Sequence, residues 1–181
     1  MEEAQLLSES VSGHKDSLRL LLEKYHKAAS AIAFAVCGRS DWAKESAALG
    51  LAATGSSIGA VNSPEEFGSY LISVVQAESK RFLSDKRRPL LTPEGAKLKI
   101  KEAAQKLKTP EKIPQRELNN LIITAFLGLS DKSRELLALS SYYNNSYQEL
   151  ERLIGISADE LEEQLCKARI EFSEIFSEIY T

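Results

Sequence analysis

The side chains best suited to ligand binding form a dense run of cations, Lys80, Arg81, Lys86, Arg87 and Arg88. Ammonium and guanidinium groups at this density can neutralise phosphates, and phosphate contacts supply most of the affinity in nucleic-acid binding. A structural interpretation is also available, because cations suit the C-terminus of a helix and its dipole. Both interpretations place this run at the end of a helix.

A second candidate begins with two Ser-x-x-Glu pairs, Ser146 with Glu149 and Ser157 with Glu160. Each pair has the spacing of a capping box, which satisfies backbone donors at a helix start. Gly155 lies between the pairs, where the first of two helices must end. Apolar residues continue along the second helix at three- and four-residue spacing: Leu161, Leu165, Ala168 and Phe172. The pattern predicts a helix-turn-helix.

The second of these helices has an unusual charge, with acids at Asp159, Glu160, Glu162 and Glu163. Carboxylates in a first helical turn are favoured by the helix dipole, but they cannot neutralise phosphates. A glutamate can accept a hydrogen bond from cytosine, and an acidic surface also suits a basic protein partner. The candidate DNA contacts here are Arg134, Ser157, Glu160, Gln164, Lys167 and Arg169. The three cations are equally explained as solvated or ion-paired side chains.

No pattern in the sequence indicates an enzyme or a metal centre. Cys37 and Cys166 lie far apart without a CxxC or Cys/His cluster, so neither a disulfide framework nor a zinc site is predicted. His14 and His26 have no nearby carboxylate or cysteine constellation. Phosphate-binding glycine loops and the common hydrolase motifs are missing from the sequence. We expect no catalytic residue, no cofactor and no bound metal.

The apolar periodicity predicts an all-α fold, because no alternating apolar and polar run is long enough for a strand. Ser63 followed by Pro64 is a strong helix start. Residues 54–62 are rich in Gly and Ser and are predicted to form a loop. The other helices are expected at residues 17–36, from residue 40 or 41 to about 51, at 116–126 and at 131–143.

Prolines and lysines mark a boundary between residues 89 and 114. We predict two helical domains, residues 1–88 and 115–181, joined by a basic linker, 89–114, that can hold a short helix. The net charge of −3 conceals an uneven distribution. Residues 92–114 carry six basic and three acidic groups, whereas residues 115–181 carry six and twelve. The predicted helix-turn-helix thus lies in the acidic part of the chain.

The sequence has no membrane-spanning pattern, since no eighteen consecutive residues are apolar. Its first residues carry acids where a secretion signal would carry a basic region. We therefore expect a cytoplasmic protein.

Between Gly13 and Arg169 the chain resembles the extracytoplasmic-function sigma factors of bacterial RNA polymerase. In the C-terminal half, the residues at the positions of the family's promoter-reading helix-turn-helix are Leu129, Arg134, Glu135, Leu137, Leu139, Ser146, Tyr147, Glu149, Leu150, Gly155, Ile156, Ser157, Leu165, Ala168 and Arg169. In the N-terminal half, the matching residues are Gly13, Leu18, Leu21, Tyr25, Phe67, Leu71 and Lys86 to Arg88.

The resemblance implies a two-domain, all-α transcription initiation protein whose partners are the RNA polymerase core and promoter DNA. The first domain would bind polymerase, through a helix that here contains Trp42, Lys44 and Glu45, and the melted promoter, through the helix that ends in the basic run. The second would place its recognition helix in the major groove. An anti-sigma regulator is a further implied partner.

Three segments depart from the family's pattern. The polymerase-binding helix is mostly small and uncharged instead of acidic, and Gln76 and Ala77 replace an Arg-Asn pair in the strand-opening helix. Glu160, Glu162 and Glu163 stand where the family offers hydroxyls and cations to DNA. These departures favour an alternative, a sigma-like module that binds a sigma regulator or polymerase without reading a promoter. A third hypothesis is an unrelated helix-turn-helix regulator.

Overall fold

The computed structural model describes residues 2–106, 113–144 and 146–180, and every regular element within them is helical. The all-α prediction is confirmed. The helices are α1 (Glu3–Val11), α2 (Lys15–Lys24), α3 (His26–Cys37), α4 (Ser40–Ser56), α5 (Pro64–Asp85), α6 (Pro93–Lys106), α7 (Gln115–Leu127), α8 (Asp131–Tyr142), α9 (Tyr147–Ile154) and α10 (Ala158–Phe176). Short 3-10 turns lie at Ile58–Ala60 and Ser177–Tyr180.

Helix α3 lies at the centre of the molecule, between α4, α5 and α8. Its alanines are buried on every side, and Ile32 is fully inaccessible to solvent. Small side chains let three neighbouring helices approach, and a helix that is apolar all round belongs in a core. Gly38 adopts a left-handed conformation with φ of 64°, which ends the helix as predicted.

The single helix predicted over residues 17–36 is wrong, because the chain divides it into α2 and α3 at Tyr25. Tyr25 has φ of −97° and ψ of 3°, outside the helical range. Its ring meets that of Phe67 edge to face at 4.8 Å, and its hydroxyl donates to Glu3. These tertiary contacts hold the break, which apolar spacing along the sequence does not reveal.

Helix α4 continues to Ser56 and includes the first part of the loop predicted over residues 54–62. The Thr54 hydroxyl donates to the Gly50 carbonyl, four residues earlier in the same helix, at 2.8 Å. Such a side-chain bond to the preceding turn is compatible with a continuing helix. Gly50 faces Val75 of α5, and a Cβ added to it would lie 2.8 Å from the Val75 Cα atom. The glycine therefore permits close helix packing.

Most of the predicted basic linker is helical and packed. Helix α6 buries Ala96 and Ile100 in a second core with Leu121, Ala125 and Ile175. Residues 107–112 of the predicted linker lie outside the described residues.

The largest core takes side chains from both predicted domains. Ile32 and Leu71 of the first half pack in the same cluster as Leu139 and Leu165 of the second. Helices α5 and α9 approach closely, since a Cβ added to Gly68 would lie 2.8 Å from the Leu153 carbonyl oxygen. The division of the chain into two domains stays a prediction.

Within the described residues, no helix combines the length and the apolar character needed to cross a membrane.

Candidate nucleic-acid interface

Helices α9 and α10 are joined by the three residues Gly155 to Ser157. Gly155 has φ of 77°, a left-handed conformation that costs a glycine little and ends α9. Leu150 and Leu153 of α9 pack in one cluster with Leu161 and Leu165 of α10. The two helices and the turn thus lie where the sequence predicted them, while their identity as a DNA-binding motif stays a prediction.

Only one of the two predicted capping boxes has its serine in the capping bond. The Ser157 hydroxyl accepts a hydrogen bond from the Glu160 backbone N–H at 3.3 Å. Ser146 precedes α9 but makes no side-chain cap. The prediction of two equivalent caps is wrong, because residue type and spacing alone do not fix where a hydroxyl points.

The solvent face of α10 is acidic in its first turns, where Asp159, Glu160, Glu162 and Glu163 are exposed. Glu160 accepts from the Gln164 amide at 2.6 Å, and Glu163 pairs with Lys167 at 2.5 Å. The hydrogen bond from Lys167 lowers the pKa of the Glu163 carboxyl and raises the pKa of the lysine. Lys167 is therefore already engaged by a carboxylate of its own helix.

Arg134 is buried, with 3% of its side chain exposed, so its prediction as a phosphate contact is wrong. Its guanidinium donates to the Leu127 carbonyl at 2.9 Å and pairs with Asp131. A buried guanidinium with these partners holds the α7–α8 junction together instead of reaching a groove in DNA.

Glu171 positions α10 against the start of α8, a role the sequence analysis missed. Its carboxylate accepts from the Ser130 backbone N–H and from the Ser133 hydroxyl, both at 2.6 Å. A carboxylate at a helix N-terminus satisfies free donors and complements the dipole. An acid forty-one residues away along the chain gives no local signal for this contact.

Arg169 lies at the edge of an apolar groove of about 460 Å³ between α7, α8 and α10. Phe172, Tyr142 and Ile122 line the groove beside it. The guanidinium is exposed, and among the described residues it forms no ion pair. Of the three cations predicted around the helix-turn-helix, it alone forms no ion pair in the described part of the chain.

The basic run at the end of α5 is only partly available. Lys80 pairs with Asp131 of α8 at 2.6 Å, which lowers the pKa of that carboxyl. Arg81 is exposed and lies 3.9 Å from Glu78. Lys86, Arg87 and Arg88 are exposed beyond the helix end, and Arg87 adopts a left-handed conformation with φ of 53°.

Trp42 is half-buried beside the basic run at the end of α5. Its ring meets Phe82 edge to face at 6.3 Å, and the guanidinium carbons of Arg39 and Arg88 lie 4.4 and 5.9 Å from its centroid. Lys44 and Glu45 of the same helix are exposed. The predicted polymerase-binding residues therefore divide into one packed aromatic ring and two accessible charges.

Two further polar contacts join the halves of the chain. Glu3 of α1 accepts from Tyr25 and pairs with Arg152 of α9 at 2.6 Å. Glu135 of α8 accepts from the Gln76 amide of α5. Burial, reinforced by Asp131, raises the pKa of the Glu135 carboxyl.

Cys37 is buried and Cys166 exposed, and both are free thiols. Burial raises the pKa of the Cys37 thiol, which disfavours its reactive thiolate. The described part of the chain contains no group of three or more His, Cys, Asp or Glu side chains placed to hold a metal ion.

The predicted site residues are spread over several surfaces: the first turns of α10 are acidic, Arg169 lies beside an apolar groove, and the end of α5 is basic. Three of them, Trp42, Arg88 and Arg134, line one cleft together. No protein-family model matches the chain, and no curated protein matches it significantly.

Proposed function

We propose that the chain is a sigma-factor-like transcription initiation protein of the cytoplasm that binds the RNA polymerase core and promoter DNA. The observation that carries this proposal is the α9–α10 pair, with its left-handed Gly155, its cap at Ser157 and its open solvent face. The sequence resemblance to sigma factors covers the same pair and extends to the basic end of α5.

Phosphate contacts in this proposal come mainly from the end of α5. Arg81, Lys86, Arg87 and Arg88 are exposed, whereas Lys80 is held by Asp131. In α10, the exposed carboxylates oppose phosphate binding. The accessible charges of Lys44 and Glu45 on α4 are the proposed polymerase contacts.

A second candidate function is a sigma-like module that binds a protein partner, a sigma regulator or polymerase, without reading a promoter. The specific observation in its favour is the acidic solvent face of α10, where the Glu163–Lys167 pair is the one ion pair that these carboxylates form among the described residues. A basic protein surface would gain favourable charge contacts there, and steering by such charge increases association rates.

Purified protein tested with the polymerase core distinguishes the two functions. The proposed function predicts a complex with the core and promoter-dependent open-complex formation that is lost without the protein. The combined substitution of Lys86 and Arg87 by Ala should reduce open-complex formation while the polymerase complex survives. A complex with the polymerase core that never initiates transcription would contradict the first function and support the second.

Reversing the charge of α10 tests whether its face approaches DNA. Changing Glu160, Glu162 and Glu163 to Lys should tighten binding to duplex DNA by about 1 kcal/mol or more for each new phosphate contact. The slope of log affinity against log salt should steepen accordingly. In the matched control, Lys replaces three exposed carboxylates that lie outside α10: Asp16, Glu23 and Glu65. An equal gain in the control would mean that net charge alone is responsible.

A further inference from the structure

A cleft of about 320 Å³ lies where the end of α3, the start of α4 and the end of α5 meet α6, α7 and α8. Its size falls within the range of small-ligand sites, about 300–1,000 Å³. Apolar side chains such as Leu83, Leu91 and Ile123 form part of the wall. Six helices therefore contribute to one concave surface.

The charged residues that line this cleft are all cationic: Arg39, Arg88, Lys99 and Arg134. No carboxylate is among the lining residues in the described part of the chain. Clefts lined by one sign of charge with low-dielectric walls focus the electrostatic field and concentrate counter-ions. The cleft is therefore suited to an anion.

Two of these cations already have partners outside the cleft wall, and two do not. Arg39 donates to both carboxylate oxygens of Asp41, at 2.7 and 3.1 Å, and Arg134 pairs with Asp131. The side chains of Arg88 and Lys99 form no ion pair or hydrogen bond with any other residue that the structure describes, although the Arg88 backbone N–H donates to the Leu83 carbonyl at 3.0 Å. Two uncompensated charges favour a ligand that carries more than one negative charge.

Two of the guanidinium groups lie near the same aromatic ring. Arg39 and Arg88 both lie against the ring of Trp42, and Trp42 is itself packed on Phe82. A positioned guanidinium loses less entropy when it binds, and its planar fork matches phosphate oxygens. Gly38 lines the wall without a side chain, and a Cβ there would lie 2.6 Å from Leu127.

We propose that this cleft binds a small anion of the diphosphate class, inorganic pyrophosphate or the diphosphate group of a nucleotide. Arg88 and Lys99 hold its oxygens, Arg39 contributes from the edge, and apolar side chains form part of the wall around it. The site shares Arg88 with the proposed DNA surface, whereas Lys86 and Arg87 of that surface do not line the cleft. Its existence does not depend on the proposed function.

Calorimetric titration of the full chain with inorganic pyrophosphate tests the site. One pyrophosphate should bind per chain, and Arg88→Ala and Lys99→Ala should each weaken binding at least tenfold. Lys101→Ala is the matched control, because Lys101 is exposed on the same helix as Lys99 but does not line the cleft. Binding within twofold of the original is expected for it. The proposal would be overturned if pyrophosphate binding did not saturate, or if Lys101→Ala weakened binding as much as the two cleft variants.

Separate titrations with ADP and with a ten-nucleotide single strand distinguish the sources of phosphate. A nucleotide ligand predicts tighter binding of ADP than of pyrophosphate, whereas an inorganic ligand predicts the reverse. Substituting Lys86 and Arg87 by Ala should weaken the single strand and leave pyrophosphate binding unchanged. A Lys99-dependent single-strand complex without pyrophosphate binding would overturn the small-anion site and leave the proposed DNA function standing.

Discussion

A serine at a helix start stabilises the helix through its hydroxyl only where that hydroxyl reaches a backbone donor. Ser157 accepts from the Glu160 backbone N–H, whereas Ser146 makes no such bond at the start of α9. The two residues have the same Ser-x-x-Glu spacing, and each lies at the end of a short connection, directly before a helix. They therefore provide a comparison in which residue type is constant and geometry differs.

Ser157→Ala should destabilise the protein by about 1 kcal/mol, the usual cost of losing a side-chain cap. Ser146→Ala, the matched control, should cost clearly less because no capping bond is lost. Chemical denaturation followed by circular dichroism measures both free energies of unfolding. Equal losses in the two variants would contradict the assignment of the cap to Ser157 alone.

Glu135 is a half-buried carboxylate whose charge is unfavourable in the folded state. Burial and the neighbouring Asp131 raise its pKa, although the Gln76 amide donates to it. A raised carboxyl pKa means that the folded protein holds its proton at a pH where the unfolded chain has released it. The charged form therefore destabilises the fold above the folded-state pKa, and this cost disappears below the unfolded value.

Glu135→Gln should raise the free energy of unfolding at neutral pH, because the amide oxygen still accepts from Gln76 without a buried charge. The advantage should shrink as the pH falls through the raised pKa and should vanish below the ordinary glutamate value of about 4.3. Urea denaturation of both proteins across this pH range measures the difference in their free energies of unfolding. An advantage that stays constant with pH would exclude ionisation of Glu135 as its cause.

At the scale of elements, the contact between α4 and α5 depends on a missing side chain. Gly50 lies against the Val75 backbone, so the two helices approach more closely than an alanine would allow. Glycine inside a helix usually costs about 1 kcal/mol relative to alanine. Here the close approach outweighs that cost.

Gly50→Ala should destabilise the protein by about 1–2 kcal/mol, since overpacking of about 1–3 kcal/mol exceeds the gain in helix propensity. Gly59→Ala is the control, because no atom lies within 4 Å of its added Cβ. Thermal unfolding of both variants measures the difference. A stabilised Gly50→Ala protein would show that α4 and α5 separate at little cost.

The sequence predicts best the elements whose start, apolar face and end are all determined by neighbouring residues in the chain. Helix α10 has its serine cap and apolar spacing in consecutive residues, and α5 starts at Pro64 as expected. The break at Tyr25 was missed because it depends on Phe67 and Glu3, far away in the chain. Likewise, the burial of Arg134 depends on Leu127 and Asp131, which a pattern of charges does not arrange in space.

Sequence spacing also does not reveal which cations share a concave surface. The basic run ending at Arg88 was recognised as a binding candidate, but its neighbours Arg39 and Lys99 were not. These three residues come from separate elements, and only packing of α6 on the body of the fold brings them together. Residue type along the sequence indicates candidate cations, but only the fold shows which of them lie near one another.

At the scale of the whole molecule, the two halves of the chain share their largest core. Leu71 of α5 and Leu165 of α10 are both fully buried within it. Lys80 with Asp131 and Arg152 with Glu3 add polar contacts between the halves. A core formed jointly by both halves couples their stability, because neither can lose its packing without exposing the other's apolar surface.

This coupling predicts a single cooperative unfolding transition that both halves report. Leu165→Ala removes a buried side chain from the second half and should cost about 2–5 kcal/mol. Trp42, the single tryptophan, lies in the first half, so its fluorescence reports a region that the substitution does not touch. Its midpoint in denaturant should shift as far as the midpoint seen by circular dichroism, as two-state unfolding requires.

Leu71→Ala in the first half is the reciprocal control and should shift both signals together. A Trp42 midpoint unmoved by Leu165→Ala would mean that the halves unfold independently, and their common core would then contribute little to the stability of either.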